Sequence, residues 1–167
     1  MPKQLLDRCG PDCVQNFFQA ASERYRDGVS LASEGRRTAA IYLWGYVAEM
    51  LLKASFFRAI GFSPTQQITL VDLRNAKNLE ANRLGITWVG QLHSLMSWSQ
   101  LLVSYRTATP GLAYPITGFG NEVVNQSRQL ERIWSETLRY HKNVAYLHEV
   151  ARARQAIEWL LANAPAL

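Results

Sequence analysis

Residues 36–61 read RRTAAIYLWGYVAEMLLKASFFRAIG. Apolar side chains fill nearly every position between 39 and 60, so a helix formed here has no face that can stay in water. We therefore predict a central helix over about 36–60, surrounded by the other helices of a bundle. The run also contains a carboxylate, Glu49, whose burial is costly unless another group pairs with it. The identity of the group that pairs with Glu49 therefore bears directly on function.

Length and composition describe an ordinary globular domain. The 167 residues are 48% hydrophobic and 19% charged, which excludes a disordered chain. The formal net charge is +5. This surplus is compatible with an anionic partner and equally with a simple role in solubility, because acidic residues lie among most of the basic ones.

The two cysteines, Cys9 and Cys13, lack the nearby histidine or cysteine partners that a zinc site needs. We interpret them as reduced residues of a cytoplasmic protein and predict neither a metal nor a cofactor. The first thirteen residues contain no apolar run of signal-peptide length. The central run is long enough to span a membrane, but Glu49, Lys53 and Arg58 interrupt it, so we expect no membrane partner.

Helical periodicity extends over most of the chain. No segment of strand length alternates between apolar and polar residues. The sequence thus predicts an all-α, up-and-down bundle of four to five main helices, with a flexible arm at 1–12 and a single domain at 13–164. A long loop is expected at 107–120. Besides the central helix, the predicted helical segments are 13–26, 69–84, 90–106, 121–140 and 144–162.

Three segments together resemble HEPN domains. TAAIYLWGYVAEMLLKASF at 38–56 resembles the second helix of these domains, and QLHSLMSWSQLL at 91–102 resembles the helix that follows it. WSETLRYHKNVAYLHEVARARQAIEWLL at 134–161 resembles their closing part. The resemblance covers roughly residues 15–163 and depends on the order and spacing of the three segments.

The resemblance implies a bundle that is often dimeric and that associates with nucleotides or RNA. Some HEPN domains are metal-independent ribonucleases, usually toxins paired with nucleotidyltransferase antitoxins. Those enzymes carry an arginine followed, after four to six residues, by a histidine that transfers a proton. No histidine of this chain follows an arginine at that spacing: Arg139, for example, lies only two residues before His141.

Glu49 has two candidate kinds of partner. Lys53, four residues later, could form an ion pair within the helix. Alternatively, Arg139 or His93 could pair with Glu49 across the bundle. An arginine there could donate two parallel hydrogen bonds to the carboxylate. A lone histidine at the start of an apolar helix, such as His93, is more often a hydrogen-bonded interior residue than a base or a ligand. A cross-bundle pair would be structural or would contribute to ligand binding.

The densest group of chemically able side chains is Arg139-Tyr140-His141-Lys142. Cations at a helix end complement the exposed carbonyls, which is a structural explanation for this group. The functional interpretation makes Arg139 a phosphate contact and Tyr140 a stacking or hydroxyl partner.

We therefore predict a HEPN-like binding or assembly module for nucleotide or RNA, acting as a homodimer, with these ligand-binding candidates: Arg139, Tyr140, Lys142, Glu49 and Lys53. A first alternative is a divergent ribonuclease that uses Arg139 with His141 or His93 across a dimer cleft. A second alternative is a non-catalytic partner subunit of a nucleotidyltransferase.

Overall fold

A computed structural model of the protein describes residues 9–167, so most of the flexible arm predicted for 1–12 lies outside the described residues. This part of the chain is all-helical and contains no strand, and its one β-bridge joins Cys13 to Gln67. The all-α prediction is confirmed. The main helices are α1 (Val14–Ser33), α2 (Arg37–Ala59), α3 (Leu70–Asn75), α4 (Leu95–Ala108), α5 (Phe119–Glu131) and α6 (Leu147–Ala162).

Helix α2 is the central helix, within a residue of each predicted end. Fifteen of its 23 residues are buried, and they lie on all sides of the helix. It packs against α1, α4 and α6, with a smaller contact to α5. Helices on every side therefore remove its apolar surface from water, as the composition of the run requires.

Helix α1 extends past the predicted end at 26, because Gly28 serves as a packing contact and does not end the helix. A glycine preceded by Asp27 favours a stop, but here Gly28 lies inside the helix and is buried. A Cβ at this position would lie 2.3 Å from Nε1 of Trp44. The glycine therefore permits close approach of α1 and α2, and the helix ends instead near Gly35, whose φ is +75°.

Helix α3 opens with the predicted capping box, in which Thr69 and Asp72 satisfy each other's backbone N–H groups. The helical path continues through a π-helical turn at Ala76–Glu80 and a last turn at Ala81–Arg83. Helix α4 begins five residues later than the predicted start at 90, because the Ser94 side chain caps it by accepting from the Ser97 N–H.

The helix predicted at 121–140 is wrong in its second half. Helix α5 ends at Glu131, and a separate 3-10 helix covers Glu136–Tyr140. The break lets the Trp134 indole reach α2, where its Nε1 donates to the carbonyl oxygen of Tyr42 over 3.0 Å. A continuous helix could not place the indole there and also keep the following residues against the start of α2.

The bundle also extends past the predicted boundary at 164. Leu167 is fully buried. Arg58 donates to the carbonyl oxygens of Ala164 and Pro165, and Arg106 donates to those of the last two residues. Within the described residues, no helix is both long and apolar enough to cross a membrane.

Gly45 gives a direct test of helix packing. A Cβ at Gly45 would lie 2.0 Å from Nε1 of Trp134. Alanine normally stabilises a helix interior relative to glycine by about 1 kcal/mol. We expect Gly45→Ala to destabilise the protein instead, by about 1–3 kcal/mol, because the core is overpacked.

The measurement is urea unfolding of Gly45→Ala, Trp134→Phe and the double variant. Since phenylalanine is smaller than tryptophan, the alanine should cost less in the Trp134→Phe background. A stabilising Gly45→Ala, or equal costs in the two backgrounds, contradicts this packing.

Candidate functional site

Glu49 lies midway along α2 and is only 4% exposed. Lys53, one turn later and 6% exposed, donates to its Oε1. Nδ1 of His93 lies 3.0 Å from each carboxylate oxygen. The prediction of a partner for Glu49 is confirmed twice, within the helix by Lys53 and across the bundle by His93. The alternative pairing of Glu49 with Arg139 is wrong, because Arg139 lies on the exposed end of the 3-10 helix.

The contact with Glu49 sets the chemistry of His93. An ionised carboxylate only accepts hydrogen bonds, so the proton of the neutral imidazole belongs on Nδ1. The hydrogen bond to Glu49 raises the pKa of His93 above its ordinary value, against the opposing effect of partial burial. The negative charge of Glu136 also raises this pKa, and the positive charge of Lys53 lowers it. The side chain of His93 is 40% exposed, and its Nε2 has no hydrogen bond among the described residues.

His93 opens onto a cavity of about 490 Å³. We call it the acidic cavity, because the charged side chains that line it in the described structure, besides His93, are Glu131 and Glu136. One oxygen of Glu131 accepts from the Met96 N–H at the start of α4. The full lining comprises Val89, Gly90, Gln91, His93, Ser94, Met96, Ser97, Gln100, Glu131, Trp134, Ser135 and Glu136.

A second depression of about 400 Å³ lies where the start of α2 meets the chain after the 3-10 helix. We call it the basic cleft. Four basic residues line it, namely Arg36, Arg139, His141 and Lys142. No acidic residue among the described residues lines it. Its lining is Arg36, Thr38, Ala39, Tyr42, Leu138, Arg139, His141, Lys142 and Asn143.

Thr38 and Asn143 hold the two walls of the basic cleft together. The Asn143 side chain accepts from the Thr38 N–H over 3.0 Å and donates to the Gly35 carbonyl over 2.8 Å. The Thr38 hydroxyl accepts from the N–H groups of Val144 and Ala145. These bonds fix the loop that carries His141 and Lys142 against α2 without using either basic side chain.

Two exposed aromatic side chains lie near the basic cleft in sequence. Tyr140 is 74% exposed and has the Arg139 guanidinium 4.7 Å from its ring centre. Hydrogen bonding to Tyr140, and secondarily to Tyr42, raises the pKa of Arg139. Tyr146 is 66% exposed and stacks on the ring of His148 at 5.6 Å. Aromatic rings are therefore presented to solvent beside basic groups.

The predicted site residues thus divide into two groups. Glu49, Lys53 and His93 form one cluster behind the acidic cavity, whereas Arg139, Tyr140, His141 and Lys142 lie in or beside the basic cleft. A pair of tyrosines connects the groups: Tyr42 lines the cleft, and Tyr46 lies edge-on both to Tyr42 at 5.1 Å and to His93 at 6.1 Å.

Tyr46 is partly buried. Burial raises its pKa to about 12, and a hydrogen bond with Tyr42 and the nearby charge of Glu49 add to the effect. Tyr46 therefore stays a neutral phenol at physiological pH. It contacts His93 through its ring and adds no charge to either group.

The sequence did not indicate four residues of these sites, namely Arg36, Tyr42, Glu131 and Glu136. Arg36 directly precedes α2, where an arginine is ordinarily a solvated charge. Glu131 and Glu136 come together only because the chain breaks between α5 and the 3-10 helix. The sequence does not predict the break at Trp134. The spacing of the acidic residues alone therefore gives no indication that Glu131 and Glu136 lie together.

Comparisons with known proteins give no match: no family model, no curated protein and no solved structure matches this chain. Within residues 9–167, no group of three His, Cys, Asp or Glu side chains could hold a metal ion. The function is therefore inferred from the geometry of the acidic cavity and the basic cleft.

The raised pKa of His93 makes stability depend on pH. A histidine whose pKa is higher in the folded state binds its proton more tightly there, so its contribution to stability is fully present below the unfolded pKa of about 6.5. This contribution is lost as the pH rises through the folded pKa. We expect the free energy of unfolding to fall over that window in the wild type and to change less in His93→Gln.

The measurements are urea unfolding between about pH 5.5 and 9 and an NMR titration of the His93 ring. Identical pH profiles for the two proteins, or a His93 pKa at or below its ordinary value, contradict the contact with Glu49.

Proposed function

We propose that this protein is a binding module for single-stranded RNA and that the basic cleft is its phosphate site. One observation carries the proposal: a cleft of about 400 Å³ is lined by Arg36, Arg139, His141 and Lys142, and by no acidic side chain among the described residues. Guanidinium groups bind phosphate oxygens through paired hydrogen bonds, and ammonium groups add charge.

The exposed tyrosines favour a single-stranded ligand. Proteins that bind single strands combine a basic groove with aromatic side chains on which bases stack. Tyr140 follows Arg139 directly, and Tyr146 follows the loop that closes the cleft, so a strand with phosphates at the cleft has rings within reach of its bases. The bases of a duplex are already stacked on each other and cannot use such rings.

The resemblance of three segments to HEPN domains supports the same proposal, since those domains associate with nucleotides and RNA. The proposed module needs no metal and no cofactor for binding.

Binding can be measured by fluorescence anisotropy with a labelled 12-nucleotide single-stranded RNA. We expect Arg139→Ala to weaken binding about tenfold, because a charge-assisted contact is lost. Tyr140→Ala should weaken it by a factor of about five or more through loss of stacking. The affinity of the wild type should fall as salt rises, and Arg139→Ala should show a smaller salt dependence.

Arg74→Ala is the matched control, since it removes one exposed positive charge from α3, away from the cleft. A duplex RNA and a mononucleotide complete the set of ligands. Equal weakening by Arg74→Ala and Arg139→Ala would mean that net charge alone attracts RNA. Tighter binding of the duplex would also contradict the proposal.

A second candidate function is a metal-independent ribonuclease, and the Glu49–His93 pair favours it. A histidine held by a carboxylate through Nδ1 is oriented to accept a proton at Nε2. In such a reaction, Nε2 of His93 would take the proton of a 2′-hydroxyl group as its oxygen attacks the adjacent phosphorus. The leaving 5′-oxygen would take a proton from water, and Arg139 of a second protomer would hold the phosphate across a dimer cleft.

Cleavage of single-stranded RNA in excess chelator tests this candidate. The expected products end in a 2′,3′-cyclic phosphate and a 5′-hydroxyl, and both His93→Gln and Arg139→Ala should abolish the reaction. If RNA binds and remains intact over hours, or if His93→Gln cleaves at the wild-type rate, the protein is a binding module without this activity.

A further inference from the structure

The acidic cavity is a separate site. It shares no lining residue with the basic cleft, and no lysine or arginine lines it in the described structure. Its volume of about 490 Å³ lies within the range of small-molecule pockets. Neither RNA binding at the basic cleft nor the structural pairing of Glu49 accounts for it, since none of its lining residues lines that cleft and Glu49 is not among them.

Four hydrogen-bond donors around the acidic cavity are already in use. The Ser97 hydroxyl donates to the Val89 carbonyl, and the Met96 N–H donates to Glu131. The Trp134 indole donates to Tyr42 on α2, and Nδ1 of His93 faces Glu49. The side-chain amides of Gln91 and Gln100 also line the cavity and have no hydrogen bond among the described residues. An amide can donate or accept, so these two side chains are compatible with a cationic ligand.

Hydrogen-bond acceptors remain available. Nε2 of the neutral His93 ring has a free lone pair, because its other nitrogen carries the proton. Glu131 uses one oxygen on the Met96 N–H, which leaves its second oxygen available. Glu136 acts on His93 through its charge and has no hydrogen bond from its side chain within the described residues. Three acceptors of two kinds thus face one cavity.

Part of the remaining wall is apolar. Val89, Met96 and Trp134 contribute methyl, thioether and indole surface to the lining. Such a wall fits methylene groups and gives a polar group no partner. The ligand that matches both parts carries donors and positive charge at one end and a short hydrocarbon chain behind it.

We propose that the acidic cavity binds a small organic cation, an aliphatic chain that ends in an ammonium or guanidinium group. The cationic end donates to Glu136, to the free oxygen of Glu131 and to Nε2 of His93, and the chain lies along Val89, Met96 and Trp134. The site is independent of the proposed RNA-binding function, since it uses none of the residues that line the basic cleft.

The proton on His93 competes with this ligand. Protonation places a positive charge at the wall that the cation needs, and the charges of Glu49 and Glu136 favour protonation whereas that of Lys53 opposes it. Tyr46, the other titratable group against the ring, stays neutral. Glu131 faces the cavity and favours the cation. Affinity for the cation therefore increases as the pH rises through the pKa of His93.

The experiment is isothermal titration calorimetry with 1,4-diaminobutane and with butylguanidinium, and with n-butanol as the uncharged comparison. We expect saturable binding of at least one cation, no binding of the alcohol, and weaker binding at pH 6 than at pH 8. Glu136→Gln should weaken binding about tenfold, because one charge-assisted contact is lost.

Glu23→Gln is the matched control, since it removes an exposed carboxylate from α1 and should leave affinity unchanged. Circular dichroism verifies that each variant is folded, and His93→Gln should remove the difference between pH 6 and pH 8. No saturable binding of either cation at millimolar concentration overturns the proposal. Equal affinity in Glu136→Gln, or equal binding of n-butanol, also overturns it.

Discussion

A carboxylate buried in the middle of the most apolar helix is the constraint on which this structure depends. Glu49 is 4% exposed, and taking such a group out of water is costly unless its oxygens are satisfied. Lys53 satisfies one oxygen from the same helix, and His93 approaches both from the loop before α4. The pairing therefore joins α2 to the loop before α4 through two residues that are 44 positions apart in sequence.

The pairing of Glu49 with His93 positions one candidate site, and a second contact of α2 positions the other. The contact with His93 fixes the loop before α4, which forms one wall of the acidic cavity. On the same helix, the Tyr42 carbonyl accepts the Trp134 indole N–H, and this bond brings the chain after α5 back to α2. The wall of the basic cleft that contains Arg139 begins directly after this contact. Two sites of opposite charge thus lie on either side of one short stretch of α2.

The sequence predicts most of the fold because its strongest signals are local. The apolar run at 39–60 requires a buried helix, and the box of Thr69 and Asp72 marks the start of α3 correctly. The failures have one physical cause, which is tertiary contact overriding a local signal. Gly28 looks like a stop but serves as a contact surface for Trp44, and the apolar pattern after 131 looks helical but breaks at Trp134.

The candidate sites were predicted only in part for the same reason. A lone carboxylate in an apolar run indicates that a partner exists. His93 and Lys53 could therefore be predicted from the sequence as candidate partners of Glu49. The choice between His93 and Arg139 could not be made from spacing. Arg36, Tyr42, Glu131 and Glu136 are ordinary surface residues in the sequence, and they acquire roles only when α2, the loop before α4 and the break after α5 converge.

The most direct measurement of the central claim is the free energy of unfolding of Glu49→Gln and of the double variant Glu49→Gln/Lys53→Met. The single variant leaves the ammonium group of Lys53 buried without its counter-charge, and a loss of about 3–5 kcal/mol is expected. The double variant replaces that charge with an apolar chain of similar length, so it should recover much of the loss. A single variant within about 0.5 kcal/mol of the wild type, or a double variant no more stable than the single, would contradict this account.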